Sequence, residues 1–133
     1  MLAVPQCAAV CAYLGDRARA QVLFDLLVPY ASQIAFTAGG GLGAVAHYLA
    51  MLATTFGDFG EAESRFAVAA TTHERIGAPT WFARTQLEWA RMLLTRRQPG
   101  DAERAQELLD QALATARELG LANIERRAVR LLR

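Results

Sequence analysis

Residues 46–69, AHYLAMLATTFGDFGEAESRFAVA, contain the pattern on which the rest of the chain is built. They predict a helix, a break at Gly57 and Asp58, and a second helix that folds back on the first. Glycine suits the left-handed position that ends a helix, and aspartate can cap the helix that follows. Glu61 lies three residues after Asp58, which is the spacing of a capping box.

Each of these two helices carries an apolar stripe of small and large residues at steps of three or four. Small residues let the two backbones approach closely, and large residues fill the gaps between them. One such hairpin cannot bury its stripe alone, so the pattern predicts further copies along the chain. The stripe consists of Leu49, Ala53 and Phe56 on the first helix and Ala62, Phe66 and Ala69 on the second.

The same break and stripe recur on both sides of this hairpin. Gly15, Asp16 and Phe24 repeat the pattern 42 residues earlier, and Asp101 and Leu109 repeat it 43 residues later. We expect Asp101 to cap the helix that follows it. The sequence therefore predicts one domain over residues 1–133, with repeats at about 1–34, 42–77 and 79–120 and a capping helix at 121–133.

Seven helices are predicted, and a glycine-rich loop at 32–43 joins the first hairpin to the second. The last helix is strongly amphipathic, as the charged end of a repeat array requires. We expect Glu125, Arg126, Arg127 and Arg130 to face outward from it. The predicted helices cover residues 4–14, 17–30, 42–56, 59–76, 79–97, 102–119 and 122–132.

The three hairpins resemble tetratricopeptide repeats. The middle copy carries the match in Leu49, Ala50, Gly57, Ala62, Phe66 and Ala69. The outer copies carry it in Ala8, Gly15, Ala20, Phe24 and Leu27, and in Ala90, Gly100, Ala105, Leu109 and Ala112. The period of about 42 residues is longer than the usual 34, and it resembles the C-terminal repeats of MalT-like transcription regulators and cyclase-linked ATPases.

The resemblance implies an all-α fold, a tetratricopeptide-like α-α superhelix of three helical hairpins with a C-terminal capping helix. It implies a non-catalytic protein–protein interaction scaffold with a concave groove and a protein or peptide partner. The alternative it leaves open is a ligand-sensing or regulatory C-terminal segment of a bacterial signalling ATPase or transcription regulator.

The same resemblance indicates which side chains line the groove, on the first helix of each hairpin. These residues form a mixed polar and aromatic surface, and the alternative is that they are ordinary exposed positions. They are Gln6 and Tyr13 from the first repeat, His47, Tyr48, Met51 and Thr55 from the second, and Arg84, Glu88 and Arg91 from the third.

Composition narrows the class of function. The net charge is +1, which gives no electrostatic footprint for nucleic acid or an anionic membrane. Every basic residue is arginine, so no lysine can form a Schiff base or a phosphate-binding loop. No run approaches the roughly 18 apolar residues of a membrane span, and two cysteines are too few for a disulfide framework. We expect a cytoplasmic protein without a nucleic acid or membrane partner.

The remaining motifs favour structural roles over chemistry. Gly39, Gly41 and Ala44 match G-x-G-x-x-A, but no second strand or acidic residue follows, so we expect a flexible link and no cofactor. Cys7 and Cys11 fall on positions that usually pack inside, which favours core packing over metal binding. His73, near a helix end, is expected to be solvated. No catalytic constellation is identifiable.

The first predicted helix carries no charge, although it would form the exposed end of the array. Natural arrays cover such ends with polar residues. The sequence therefore predicts either further repeats upstream or a homodimer formed through residues 1–13.

Overall fold

The computed structural model describes Cys7, Ala8, Val10, residues 14–34 and residues 43–132 in full, and the backbone alone of residues 35–37 and 40–42. This part of the chain is mostly helical, and from Arg17 onward it contains six α-helices, one short 3-10 helix and a two-stranded sheet. The elements are α1 (Arg17–Leu27), a 3-10 turn (Val28–Tyr30), β1 (Ile34–Thr37), β2 (Gly40–Ala44), α2 (Val45–Thr55), α3 (Phe59–Arg75), α4 (Pro79–Arg96), α5 (Asp101–Leu119) and α6 (Ala122–Leu132). The predicted helical class is confirmed.

The loop predicted at 32–43 is wrong, because most of it forms an antiparallel hairpin. Ile34 pairs with Ala44 and Thr37 pairs with Gly40, with an irregularity after Ala35. β-Branched and aromatic residues favour extended structure, and pairing satisfies backbone groups that an open loop would leave exposed. β2 occupies the positions at which we expected the second helical hairpin to begin, so α2 begins three residues later than predicted.

The breaks at Gly57-Asp58 and Gly100-Asp101 differ in how the next helix begins. Asp58 caps α3 as predicted, since its carboxylate accepts a hydrogen bond from the Glu61 amide at 3.1 Å. The capping box is not completed, because the Glu61 carboxylate pairs with Arg65 at 2.8 Å. The prediction that Asp101 caps α5 is wrong. Gly100 takes the cap position with a φ of 84°, and Asp101 is the first residue of the helix.

The chain divides into two compact units, Met1–Thr72 and His73–Arg133. In the first unit, Ala46 at the start of α2 packs with Ala69 of α3, so the two helices run antiparallel as predicted. Phe24 of α1 meets the edge of Phe56 at a centroid distance of 5.3 Å. Most of the predicted stripe is buried in this unit: Leu49, Ala53, Ala62, Phe66 and Ala69.

In the second unit, α4 packs against α5 and α6. The predicted inner stripe of α5 is confirmed, since Ala105, Leu109 and Ala112 are buried. Ile124 and Ala128 bury one face of α6, also as predicted. No helix in the described part of either unit is long and apolar enough to cross a membrane.

Candidate functional site

The groove residues predicted from the second repeat are buried or half-buried. Gln6 and Tyr13 lie outside the described residues. His47 and Tyr48 are 4% and 6% exposed and contact each other edge to face. The half-buried Thr55 turns its hydroxyl back onto the carbonyl oxygen of Met51, at 2.9 Å.

The groove residues predicted from the third repeat lie at steps of four and three along α4, so they share one helix face. Glu88 is buried at 6% exposure, and its Oε2 forms an ion pair with Arg91 at 3.0 Å. Its Oε1 accepts a hydrogen bond from Arg127 of α6. Arg84, one turn earlier on α4, is exposed.

Arg127 corrects a prediction, because the sequence placed it on the outer face of the last helix. It reaches a carboxylate 39 residues earlier instead. No local spacing predicts this contact, although a buried carboxylate requires a charged or hydrogen-bonding partner somewhere in the fold. We call the group formed by Glu88, Arg91 and Arg127, together with the neighbouring Arg84, the arginine surface.

The arginine surface combines a buried anion with exposed cations. Arg91 and Arg127 are 39% and 42% exposed, so part of each guanidinium group faces solvent while the rest contacts Glu88. A guanidinium group carries five N–H donors, and one carboxylate cannot use all the donors of two such groups. Glu88 therefore fixes the two groups in position and leaves donors for a further acceptor.

Aromatic packing fixes the third arginine of this surface. The guanidinium carbon of Arg84 lies 4.9 Å from the centroid of the half-buried Trp81 ring. An arginine over an indole face is attracted to the ring by a cation–π interaction. All three exposed arginines of the surface are therefore positioned by neighbouring side chains.

Charge is divided between the helices of the second unit. α4 and α6 together carry six arginines and two glutamates, whereas α5 carries five acidic residues and two arginines. A chain with a net charge of +1 thus contains one basic pair of helices beside one acidic helix.

His73 corrects a second prediction, because it is 0% exposed and not solvated. Its Nδ1 lies 3.2 Å from the hydroxyl oxygen of Thr85 on α4. Burial lowers the pKa of His73 from its ordinary value of 6.5. The signal was available in the sequence, since Ala62, Phe66, Ala69 and His73 continue one helix stripe.

A shallow pocket of about 240 Å³ lies beside His73 at the turn between α3 and α4. It is lined by His73, Glu74, Gly77, Ala78, Pro79 and Phe82. In the described residues, no three His, Cys, Asp or Glu side chains gather closely enough to hold a metal ion.

The start of the chain also departs from the prediction. Cys7 is exposed, so its predicted place in the core is wrong, whereas Ala8, which belongs to the repeat pattern, is buried. Cys11 and most of the segment predicted to form a homodimer lie outside the described residues. The homodimer stays a prediction.

Comparisons with protein-family models, curated proteins and solved structures found no match for this chain. The resemblance to tetratricopeptide repeats and to the C-terminal repeats of bacterial regulators therefore stays a prediction from the sequence.

Proposed function

We propose that this chain is a non-catalytic scaffold of tetratricopeptide-like hairpins that binds a protein or peptide partner through the arginine surface of its second unit. The observation that carries the proposal is the buried carboxylate of Glu88, which holds Arg91 of α4 and Arg127 of α6 at a partly exposed surface. Two helices thereby contribute fixed donors to one surface.

A role in binding explains this cluster better than a role in stability does. Burying an ion pair costs desolvation, and replacing it with apolar residues of similar volume is often neutral or stabilising. Partly exposed arginines gain little from such a pair in water. Arginine and tryptophan are, however, enriched among the residues that dominate binding energy at protein interfaces. The arginine surface with Trp81 has this composition.

Panning a random dodecapeptide phage library on the immobilised chain tests the proposal. The test variant replaces Glu88, Arg91 and Arg127 with glutamine together, so that no buried charge is left uncompensated. The matched control replaces Arg117 and Glu125 with glutamine, which removes an exposed ion pair that joins α5 and α6. Circular dichroism checks that both variants fold.

We expect peptides that bind the wild type and the control equally and bind the triple variant at least tenfold more weakly. Peptides that bind all three chains equally would show that this surface is not the binding site. A library that yields no specific binder at all would contradict the proposal as well.

A further inference from the structure

The arginine surface carries an excess of positive charge. Three exposed or partly exposed arginines share this surface with one carboxylate, so Glu88 compensates only one of the three positive charges. The remaining charge is not balanced within α4 and α6, because the acidic residues of this unit are concentrated on α5. Complementary potentials across an interface favour encounter and exclude wrong partners. The surface therefore fits an anionic group.

The spacing of the arginines narrows the shape of that group. Arg84 and Arg91 are seven residues apart on one helix, a rise of about 10 Å. An extended polyproline-II segment has three residues per turn and a rise of about 3.1 Å per residue. Carboxylates three positions apart on such a segment lie on the same side, about 9 Å from each other.

A partner helix fits this surface less well than an extended segment. Arg127 of α6 reaches Glu88 of α4 directly, so the two helices leave no gap as wide as a helix, which needs about 10 Å. A thin segment can instead lie across the exposed guanidinium groups and direct its carboxylates onto them. Guanidinium groups form strong, paired hydrogen bonds with carboxylates.

A nucleic acid also fits less well. Its backbone carries closely spaced charges that extend along the whole strand. A strand laid over the arginine surface would carry phosphates beyond its three arginines, in a unit whose helix α5 carries five acidic residues. A short segment with two carboxylates places its charges only at the three arginines.

We propose that the partner presents an acidic, extended segment with two carboxylates three positions apart, one meeting Arg84 and the other meeting Arg91 and Arg127. This inference rests on the proposed function and adds the chemistry of the partner to it.

The test uses an acetylated, amidated peptide of eight residues in which two glutamates alternate with pairs of prolines. A second peptide carries glutamine in place of both glutamates, and a third brings the two glutamates next to each other. Binding to the wild type is measured by calorimetry. A Trp89→Phe variant leaves Trp81 as its sole tryptophan, so the emission of that ring reports whether Arg84 moves.

We expect the spaced diglutamate peptide to bind at least tenfold more tightly than either other peptide, and to bind less tightly as salt is raised. Arg84→Gln should weaken binding about tenfold, and Arg117→Gln, which removes the same charge from α5, should not. Equal binding of the glutamine peptide would overturn the inference. So would an oligothymidine that binds more tightly than the diglutamate peptide and loses its affinity in Arg84→Gln.

The phage library separates this inference from the proposed function. If the selected peptides require Glu88, Arg91 and Arg127 but contain no paired carboxylates, the scaffold proposal stands and the acidic partner is wrong. If no peptide depends on those residues, both proposals fail together.

Discussion

The two compact units of the chain bury different chemistry. In the described part of the first unit, His47 is the one buried residue of polar or charged type, and the interior is otherwise built mainly from alanine, leucine and phenylalanine, with Val45 and Tyr48. The second unit buries five polar residues, His73, Thr85, Gln86, Glu88 and Asp101. An apolar interior needs complementary volume, whereas buried polar groups need specific partners. The second unit is therefore the one in which single side chains fix a particular surface.

The turns at Gly57-Asp58 and Gly100-Asp101 show the same difference on a smaller scale. Asp58, in the first unit, is exposed and accepts one backbone hydrogen bond. Asp101, in the second unit, is buried and accepts 2.8 Å hydrogen bonds from two nitrogens of Arg96 and a 3.0 Å bond from the Gln98 amide. The two aspartates thus perform different tasks, because Arg96 bonds to the Asp101 carboxylate, whereas Arg17, at the first turn, bonds to the carbonyl oxygen of Thr55.

The largest effect on stability is expected in the apolar unit. Phe66 is fully buried, so Phe66→Ala should lower the free energy of unfolding by about 3–5 kcal/mol through lost burial and an unfilled cavity. Phe66→Leu retains most of the volume and should cost about 1 kcal/mol. Urea denaturation followed by circular dichroism measures both. If Phe66→Ala lowered the free energy of unfolding by less than Phe66→Leu does, the stripe of alanine and phenylalanine would not form the core.

A smaller, pH-dependent effect on stability is expected at the turn that contains Asp101. The hydrogen bond from Arg96 is the main cause that lowers the pKa of Asp101 to about 2, and the Gln98 amide adds to it although burial opposes it. Because this pKa lies below the ordinary value of 3.8, the charged carboxylate stabilises the fold above about pH 4. That stabilisation is lost as the pH falls through about 2.

Asp101→Asn should therefore lower the melting temperature at pH 7, and the two proteins should converge near pH 2. Both tryptophans lie in the second unit, so their fluorescence follows its melting. The matched control is Asp58→Asn, which should change little because asparagine is also a good helix cap. An equal loss in both variants at pH 7 would remove the distinction between the two turns.

The sequence could predict the features that depend on local spacing. Glycine and aspartate at the turns, and alanine and phenylalanine at three- and four-residue steps, predicted the six helices α1 to α6 to within about three residues at each end. The start of α2 lies later than predicted because strand pairing between Ile34–Thr37 and Gly40–Ala44 competes with helix formation. Strand pairing depends on two segments together, so the spacing within one segment does not predict it.

The arginine surface was harder to predict, because it also depends on contacts between separate segments. Helix periodicity brought Arg84, Glu88 and Arg91 onto one face, but it could not show that Glu88 is buried or that Arg127 meets it. Such contacts join residues on different helices, so their register depends on packing. The buried His73 could have been found, because it continues the stripe of α3. Treating histidine as a surface residue caused that error.

The smallest effect on stability is expected from His73. Burial lowers the pKa of His73 below 6.5, so the folded chain keeps the imidazole neutral at a pH where the unfolded chain protonates it. Unfolding then takes up a proton, so the free energy of unfolding should fall as the pH drops below about 6.5. The slope of this fall should correspond to the uptake of at most one proton. Above pH 7.5 it should be flat, because the imidazole is neutral in both states.

His73→Asn keeps a polar group near Thr85 but removes the titration, so its stability should depend less on pH between 7.5 and 5 than that of the wild type. Thr85→Val is the matched control, because it removes the 3.2 Å contact and leaves the imidazole in place. Urea denaturation at a series of pH values, followed by tryptophan fluorescence, compares the three chains. If His73→Asn and the wild type show the same slope, the buried histidine contributes nothing to the pH response. The contrast between the two units would then rest on Glu88 and Asp101, whose charged partners hold them in place at neutral pH.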